Sequence, residues 1–229
     1  MRHKIIVLLS FLIIGTTSAQ IYEVGVFLGG SNFIGDVGAT TYIAPNNLAI
    51  GGILKWNRSP RHAFRASLTY AKLEGIDSKS SDNRRIARNY SFENDIVELS
   101  AGMEFTFFDF DLHITGNKTT PYLYTGISVA HHDNYFFTAA GDYTSENTSS
   151  WAYGIPIIFG IKTTITNHII LAGEVGARYT FSDELDGSVP DADFRQNLSF
   201  GNTNSNDWYV FTGITLTYTF GQRPCYCSY

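Results

Sequence analysis

The sequence lacks a hydrophobic run long enough for a transmembrane helix, a basic patch and an internal disulfide framework. The apolar run at Ile5–Ile14 falls well short of the roughly twenty residues that a spanning helix needs. Lys and Arg number 16 against 21 Asp and Glu, a formal net charge of −5, so nucleic acid is not expected as a partner. The two cysteines, Cys225 and Cys227, both lie at the C-terminal end, and no disulfide is expected within the fold.

The sequence also lacks the motifs of the common enzyme classes, because it contains no HExxH, GxSxG, P-loop or dinucleotide-binding pattern. One constellation remains, His131-His132-Asp133, just beyond the fifth predicted strand, since a histidine oriented by an acid can activate a nearby hydroxyl. Adjacent histidines point to opposite sides, so at most one could serve, and the sequence places no serine beside it. We therefore predict a protein that is not an enzyme and has no catalytic, cofactor-binding or metal-binding residues and no small-molecule substrate.

The N-terminal segment has the three parts of a secretory signal peptide. Met1–Lys4 is basic, an apolar stretch follows, and Thr17-Ser18-Ala19 provides small residues for cleavage before Gln20. We expect a signal peptide at residues 1–19, a single barrel domain at residues 20–221, and a periplasmic tail at residues 222–229.

The chain after this segment is dominated by alternation of apolar and polar or small residues. Trp208–Phe220 places Trp208, Ile214 and Phe220 on one face and threonines and glycine on the other. A period of two indicates a β-strand, and about ten residues with one apolar face and terminal aromatics are typical of a transmembrane β-strand. The aromatic content of 15% suits a barrel with aromatic girdles at both membrane interfaces.

Eight such strands are predicted, which is the minimum for an outer-membrane barrel. They are residues 22–29, 48–56, 64–70, 97–107, 121–129, 153–161, 169–179 and 208–220. Pro156 indicates a bulge in the sixth strand. Short connectors (57–63, 108–120, 162–168) alternate with long ones (29–47, 71–96, 130–152, 180–207). This predicts an all-β, eight-stranded antiparallel up-and-down transmembrane barrel with four long outer loops and short periplasmic turns.

Seven charged residues fall on the predicted inward face. They are Glu23, Lys55, Arg65, Glu98, Glu104, Glu174 and Arg178. Buried charges are costly unless they are paired, and four acids with three bases can largely neutralise one another. We expect an ion-pair network in an interior that its own side chains fill, without a channel.

The C-terminal tail contains Cys225 and Cys227 next to Pro224. Two thiols one residue apart are poorly placed to bridge each other, and thiols in an oxidising periplasm tend to pair with another chain. We therefore expect these cysteines to bind a periplasmic partner; an incidental tail is the alternative.

Several segments together carry a family resemblance: Ser31–Gly38, Val97–Ser100 with Glu104, Pro121–Tyr124, Gly160–Lys162 and, most strongly, Glu174–Phe181 followed by Asp183, Leu185 and Asp186. The resemblance is to the PorG-like outer-membrane proteins of the type IX secretion system. It implies an eight-stranded barrel without catalysis that contacts the periplasmic ring of the secretion machinery, whose subunits include a lipoprotein. At Gly187-Ser188 the sequence departs from the family's more acidic loop.

Three functions therefore remain open. The first is a non-enzymatic anchor in the cell outer membrane, in contact with outer-membrane lipid, that docks the periplasmic secretion ring. The second is a barrel enzyme that modifies outer-leaflet lipid through His131 or His132. The third is a surface-binding or adhesion barrel that works through its long loops.

Overall fold

The structure, a computed structural model, describes residues 21–112, 116–202 and 204–221. Within these ranges eight antiparallel strands close into a barrel in sequence order, and β1 pairs with β8. The strands are β1 (Ile21–Ile34), β2 (Asn47–Asn57), β3 (His62–Ile76), β4 (Ser91–Thr106), β5 (Thr119–Phe137), β6 (Tyr143–Thr164), β7 (Ile169–Thr180) and β8 (Trp208–Phe220). A short helix, α1 (Asn83–Arg88), lies between β3 and β4. The predicted fold class is confirmed.

The apolar face of each strand points outward. On β6 the outward side chains from Trp151 to Ile161 are all apolar, and each is more than a third exposed. The span corresponds to about 34 Å along the strand, or about 24 Å when the strand is tilted by about 45°. This height matches the roughly 25 Å apolar band of a transmembrane barrel.

Aromatic and charged residues mark both limits of this band. At one limit Tyr22 stacks on Phe220 with ring centroids 6.0 Å apart. At the other, His131 and Trp151 meet edge to face at 4.8 Å. Just beyond this second limit Lys72 pairs with Glu93 on the outer wall. Such borders are typical of the two membrane–water interfaces.

The strands continue well beyond the apolar band at the end opposite the start of β1 and the end of β8, which we call the outer end. β5 and β6 are joined by residues 138–142 alone, so the expected long loop at 130–152 is wrong. The ladder still pairs Asp133 with Ser149 and Tyr135 with Ser145. In this region the outward residues are polar. The alternation of apolar and polar residues therefore ends in the sequence, although the main chains of β5 and β6 continue to pair.

The predicted bulge at Pro156 is also wrong. β5 and β6 keep one register on both sides of it, with Thr125 opposite Ile157 and Ser128 opposite Gly154. The register shifts between Asp133 and Tyr135 instead. No helix within the described ranges is long and apolar enough to cross a membrane.

Candidate functional site

The seven charged residues predicted to face inward all lie inside the barrel. Each is 6% exposed or less, although they come from five different strands. Period-two alternation explains this placement, because each residue is flanked by neighbours that face outward. The inward charges fall into three ion-pair clusters and one separate carboxylate.

The first cluster joins β3 to β7 across the barrel. Arg65 donates two hydrogen bonds to Glu174, with Nη1–Oε2 and Nη2–Oε1 distances of 2.7 and 2.8 Å. The Tyr122 hydroxyl donates to the same carboxylate. A two-pronged guanidinium–carboxylate pair is both strong and geometrically specific, so it fixes the distance between these walls.

The second cluster contains a residue that the sequence prediction missed. The Glu104 carboxylate lies 2.7 Å from Lys55 Nζ and 2.6 Å from Lys162 Nζ. The sequence prediction places Lys162 in a turn, but β6 continues to Thr164 and keeps Lys162 on the inward face. The alternation continues unbroken to Thr164, and this signal could have found Lys162. With Lys162 included, the interior holds four acids and four bases.

The third cluster and the separate carboxylate complete the set. Arg178 Nε lies 3.2 Å from Glu98 Oε2, and the Tyr209 hydroxyl donates to that oxygen at 2.6 Å. Glu23 accepts hydrogen bonds from Asn57 at 2.8 Å and Thr217 at 2.9 Å.

Above these clusters a cap of loop residues fills the outer end of the barrel. Val37 from the β1–β2 loop and Leu185 from the β7–β8 loop are fully buried in an aromatic core that includes Phe33, Phe92 and Phe137. Phe33 and Phe92 pack edge to face at 4.8 Å. Since the ion clusters lie below and the aromatic core above, the interior contains two successive plugs.

Two segments singled out by the resemblance meet in this cap. Asp186 Oδ2 accepts hydrogen bonds from the backbone N–H groups of Asp36 and Val37, both at 3.0 Å. Its other oxygen accepts from Ser188 N at 2.9 Å. The segment after β1 and the segment after β7 are therefore tied together, and Gly187-Ser188 forms part of the tie.

Several aspartates lie close together where these two segments meet. Burial, together with the charges of Asp186 and Asp36, raises the pKa of Asp183 to about 7. Burial also raises the pKa of Asp186, and raises that of Asp207 well above its usual value. Asp207 accepts a hydrogen bond from Leu185 N through Oδ2, while Oδ1 has no partner within the described part of the chain. Burial therefore opposes ionisation of these three carboxyl groups of the cap.

The partly buried side chain of Arg88 holds the β3–β4 loop to the cap. Arg88 of α1 donates to Asp77 at 2.8 Å and to the Asp36 carbonyl at 2.8 Å. Its guanidinium also lies over the rings of Tyr90 and Phe200, at 5.0 and 4.7 Å from their centroids. The helix is thereby fixed at the rim of the cap.

The histidine constellation does not form a catalytic arrangement. His131–Asp133 lies inside β5, so its expected position beyond the strand is wrong. His132 is buried and its Nδ1 contacts the carbonyl of Asp133, whereas the His131 ring packs on Trp151 on the opposite face. Among the described residues no serine hydroxyl or carboxylate hydrogen-bonds to either ring.

No three His, Cys, Asp or Glu side chains in the described ranges are grouped so that they could hold a metal ion. Cys225 and Cys227, with the rest of the tail, lie outside the described residues, as does the predicted signal peptide.

A closed eight-stranded barrel with an apolar outer band and a filled, charged interior has the architecture of an outer-membrane β-barrel protein. The chain belongs to the family described as a domain of unknown function, DUF6089, which matches residues 2–229. No curated protein is significantly similar to it in sequence.

Solved structures with a similar chain path are outer-membrane and surface proteins. A major outer membrane protein from Thermus thermophilus has a TM-score of 0.49 and 14% identity, covering 88% of this chain and 100% of its own. Neisserial surface protein A has a TM-score of 0.48 and 11% identity, covering 89% and 98%. The N-terminal β-barrel domain of Pseudomonas aeruginosa OprF has a TM-score of 0.44 and 10% identity, covering 89% and 98%.

Proposed function

We propose that this chain is a non-enzymatic barrel of the cell outer membrane that anchors the periplasmic ring of the type IX secretion machinery. The single observation that carries the proposal is the packed interior: ion-pair clusters link strands across the barrel and an aromatic cap packs above them. Because the described residues assemble no catalytic group in this interior, we assign the function to the surfaces of the barrel.

The inner end, where β1 begins and β8 ends, is the surface that we assign to docking. The connection that follows β4 at this end carries Phe107 and Phe108, which are 46% and 62% exposed. The neighbouring turn contributes Arg61, which pairs with Asp109. Aromatic side chains rimmed by charge are typical of protein–protein contact surfaces.

The partner is identified through the sequence resemblance, which implies ring subunits that include a lipoprotein. In this proposal the tail at residues 222–229 extends from the inner end, and Cys225 or Cys227 forms a disulfide with that partner.

Site-specific photocrosslinking tests the proposal. A photoreactive amino acid at Phe108 should capture a periplasmic ring protein from intact cells, since this side chain lies exposed on the inner turn. Phe194 provides the matched control, because it is 78% exposed at the outer end. Capture of ring proteins from position 194 and not from position 108 would refute docking at the inner end.

A lipid-modifying enzyme receives no support from the histidine pair, because His132 lacks both a serine and a carboxylate partner among the described residues. A surface-binding role is favoured by one specific feature of the outer end, a cavity lined by arginines.

A further inference from the structure

A polar cavity of about 430 Å³ opens beside α1 at the outer end of the barrel. Three arginines of this single helix line it: Arg84, Arg85 and Arg88. The opposite wall is formed by the β7–β8 loop at Gly201 and Asn202. Three guanidinium groups around one cavity form a positively charged spot on a protein whose net charge is −5.

The two carboxylates of the cavity are already engaged. Asp82 caps α1 by accepting from Arg84 N at 2.9 Å, and it holds the Arg84 guanidinium at 3.1 Å. Asp36 Oδ2 accepts from Asn202 N at 2.9 Å. The cavity therefore retains more donors than acceptors.

Other groups of the protein hold the arginine side chains in position without using all of their N–H groups. Arg88 is held by Asp77 and by the Asp36 carbonyl, so its guanidinium is fixed in place. Arg85 Nη1 donates to the Gly38 carbonyl at 2.8 Å, while its Nε and Nη2 have no partner in the part of the chain that the structure describes. The Arg84 side chain is 92% exposed, and its bond to Asp82 is a surface pair of the kind that contributes little to stability. The guanidinium of Arg88 is therefore held in place, that of Arg85 is held through one nitrogen, and that of Arg84 is exposed. Together these three groups can donate hydrogen bonds to several oxygens of a tetrahedral oxyanion.

The height of the cavity indicates which oxyanion it meets. β3 runs six residues past Tyr70, its last outward aromatic residue, before the loop to α1 begins. That distance is about 20 Å along the strand and about 14 Å along the membrane normal after a tilt of about 45°. The headgroup layer adds only about 5–8 Å to each side of the hydrocarbon core. The cavity thus lies at the level of the sugars of a surface glycolipid.

We propose that this cavity binds a phosphate group, and that the phosphorylated sugar of an outer-leaflet glycolipid supplies it. Arginine is favoured for such contacts because its planar fork donates two parallel hydrogen bonds to phosphate oxygens. The glycolipid as the source rests on the proposed outer-membrane location, whereas phosphate binding itself does not, and neither depends on docking at the inner end.

The test measures binding to the full-length protein in lipid nanodiscs. The probes are inorganic phosphate, purified lipopolysaccharide, and the same lipopolysaccharide after enzymatic dephosphorylation. We expect lipopolysaccharide to bind more tightly than inorganic phosphate, and dephosphorylation to weaken its binding about tenfold or more, since charge-assisted hydrogen bonds are lost. Saturable binding of inorganic phosphate with no preference for lipopolysaccharide would support the site and assign free phosphate as its source.

Matched variants make the site assignment decisive. Arg84→Gln alters a nearly fully exposed side chain that the fold does not need, and Arg84→Gln with Arg85→Gln removes two of the three donors without touching the Asp77–Arg88 pair. We expect about tenfold weaker binding for the first and a larger loss for the second. Arg61→Gln removes the same charge from the inner end and should bind normally. Equal binding by wild type and the double variant, or an equal loss in Arg61→Gln, would overturn the proposal.

Discussion

Removing Arg65 should destabilise the barrel far more than removing an exposed arginine. Arg65 is 3% exposed, and its partner Glu174, which is 6% exposed, lies 2.7 Å away. Arg65→Met preserves the aliphatic part of the side chain but leaves the carboxylate without its cation. Loss of one partner of a buried ion pair typically costs about 3–5 kcal/mol of unfolding free energy, and we expect that range here.

Two further variants separate the ion pair from the packing around it. In Arg65→Met with Glu174→Gln, no buried charge is left alone, and Tyr122 can still donate to the amide oxygen. We expect this double variant to recover about 2–3 kcal/mol relative to Arg65→Met, a coupling of the size found for contacting residues. Arg61→Met is the control, because its side chain is 49% exposed and such pairs contribute about 0–1 kcal/mol.

The assay is reversible urea unfolding in lipid vesicles, followed by the gel shift between folded and unfolded forms. Arg65→Met should unfold at much lower urea than Arg61→Met, with the double variant between the two. If Arg65→Met and Arg61→Met unfold together, or if the double variant is the least stable of all, the interior pair does not support the barrel wall and the reasoning fails.

Three other outcomes follow from the same structure. Planar-bilayer recordings should show no stable open level, because two plugs fill the interior, and a steady conductance would contradict them. Raising the pH through about 7 should lower the hydrogen-exchange protection factors of residues 181–202, measured relative to the base-catalysed intrinsic rate: folding raises the pKa of Asp183, so stability present below the usual aspartate pKa is lost as pH rises through the folded value. In Asp183→Asn this loss of protection should be smaller, and protection that grows as the pH rises would reverse the assignment. With the cysteine tail removed, a cysteine at Ser81 should react with an impermeant reagent on intact cells and one at Asn167 should not, whereas the opposite pattern would invert the topology.

The barrel could be predicted from sequence wherever one face of a strand meets lipid. β8 agrees with its predicted bounds, because Trp208 and Phe220 close an alternation that is apolar on one side throughout. β5 and β6 could not be bounded in this way. Above Trp151 the outward residues include Ser145 and Ser149, so the hydrophobic pattern ends while the strands continue to pair.

The sequence predicts which charged residues face the interior of the barrel, but it does not predict which of them pair with each other. Alternation indicates that Glu174 and Arg178 face inward. The cation that pairs with Glu174 comes from β3 and the anion that pairs with Arg178 comes from β4, and barrel closure sets both positions. Closure also brings Asp186 to the backbone of Asp36, 150 residues away in sequence. Such pairings depend on strand tilt and stagger, which a linear pattern does not contain.

The proposed role as an outer-membrane anchor for the secretion ring can be tested with a non-reducing gel of whole membranes. We expect a band heavier than the barrel that contains a ring lipoprotein and collapses on reduction. In a Cys225→Ser, Cys227→Ser variant the band should vanish and secretion should fall, while the barrel itself remains folded in the membrane. A barrel that runs as a monomer without reductant, in cells whose double variant secretes normally, would contradict the claim.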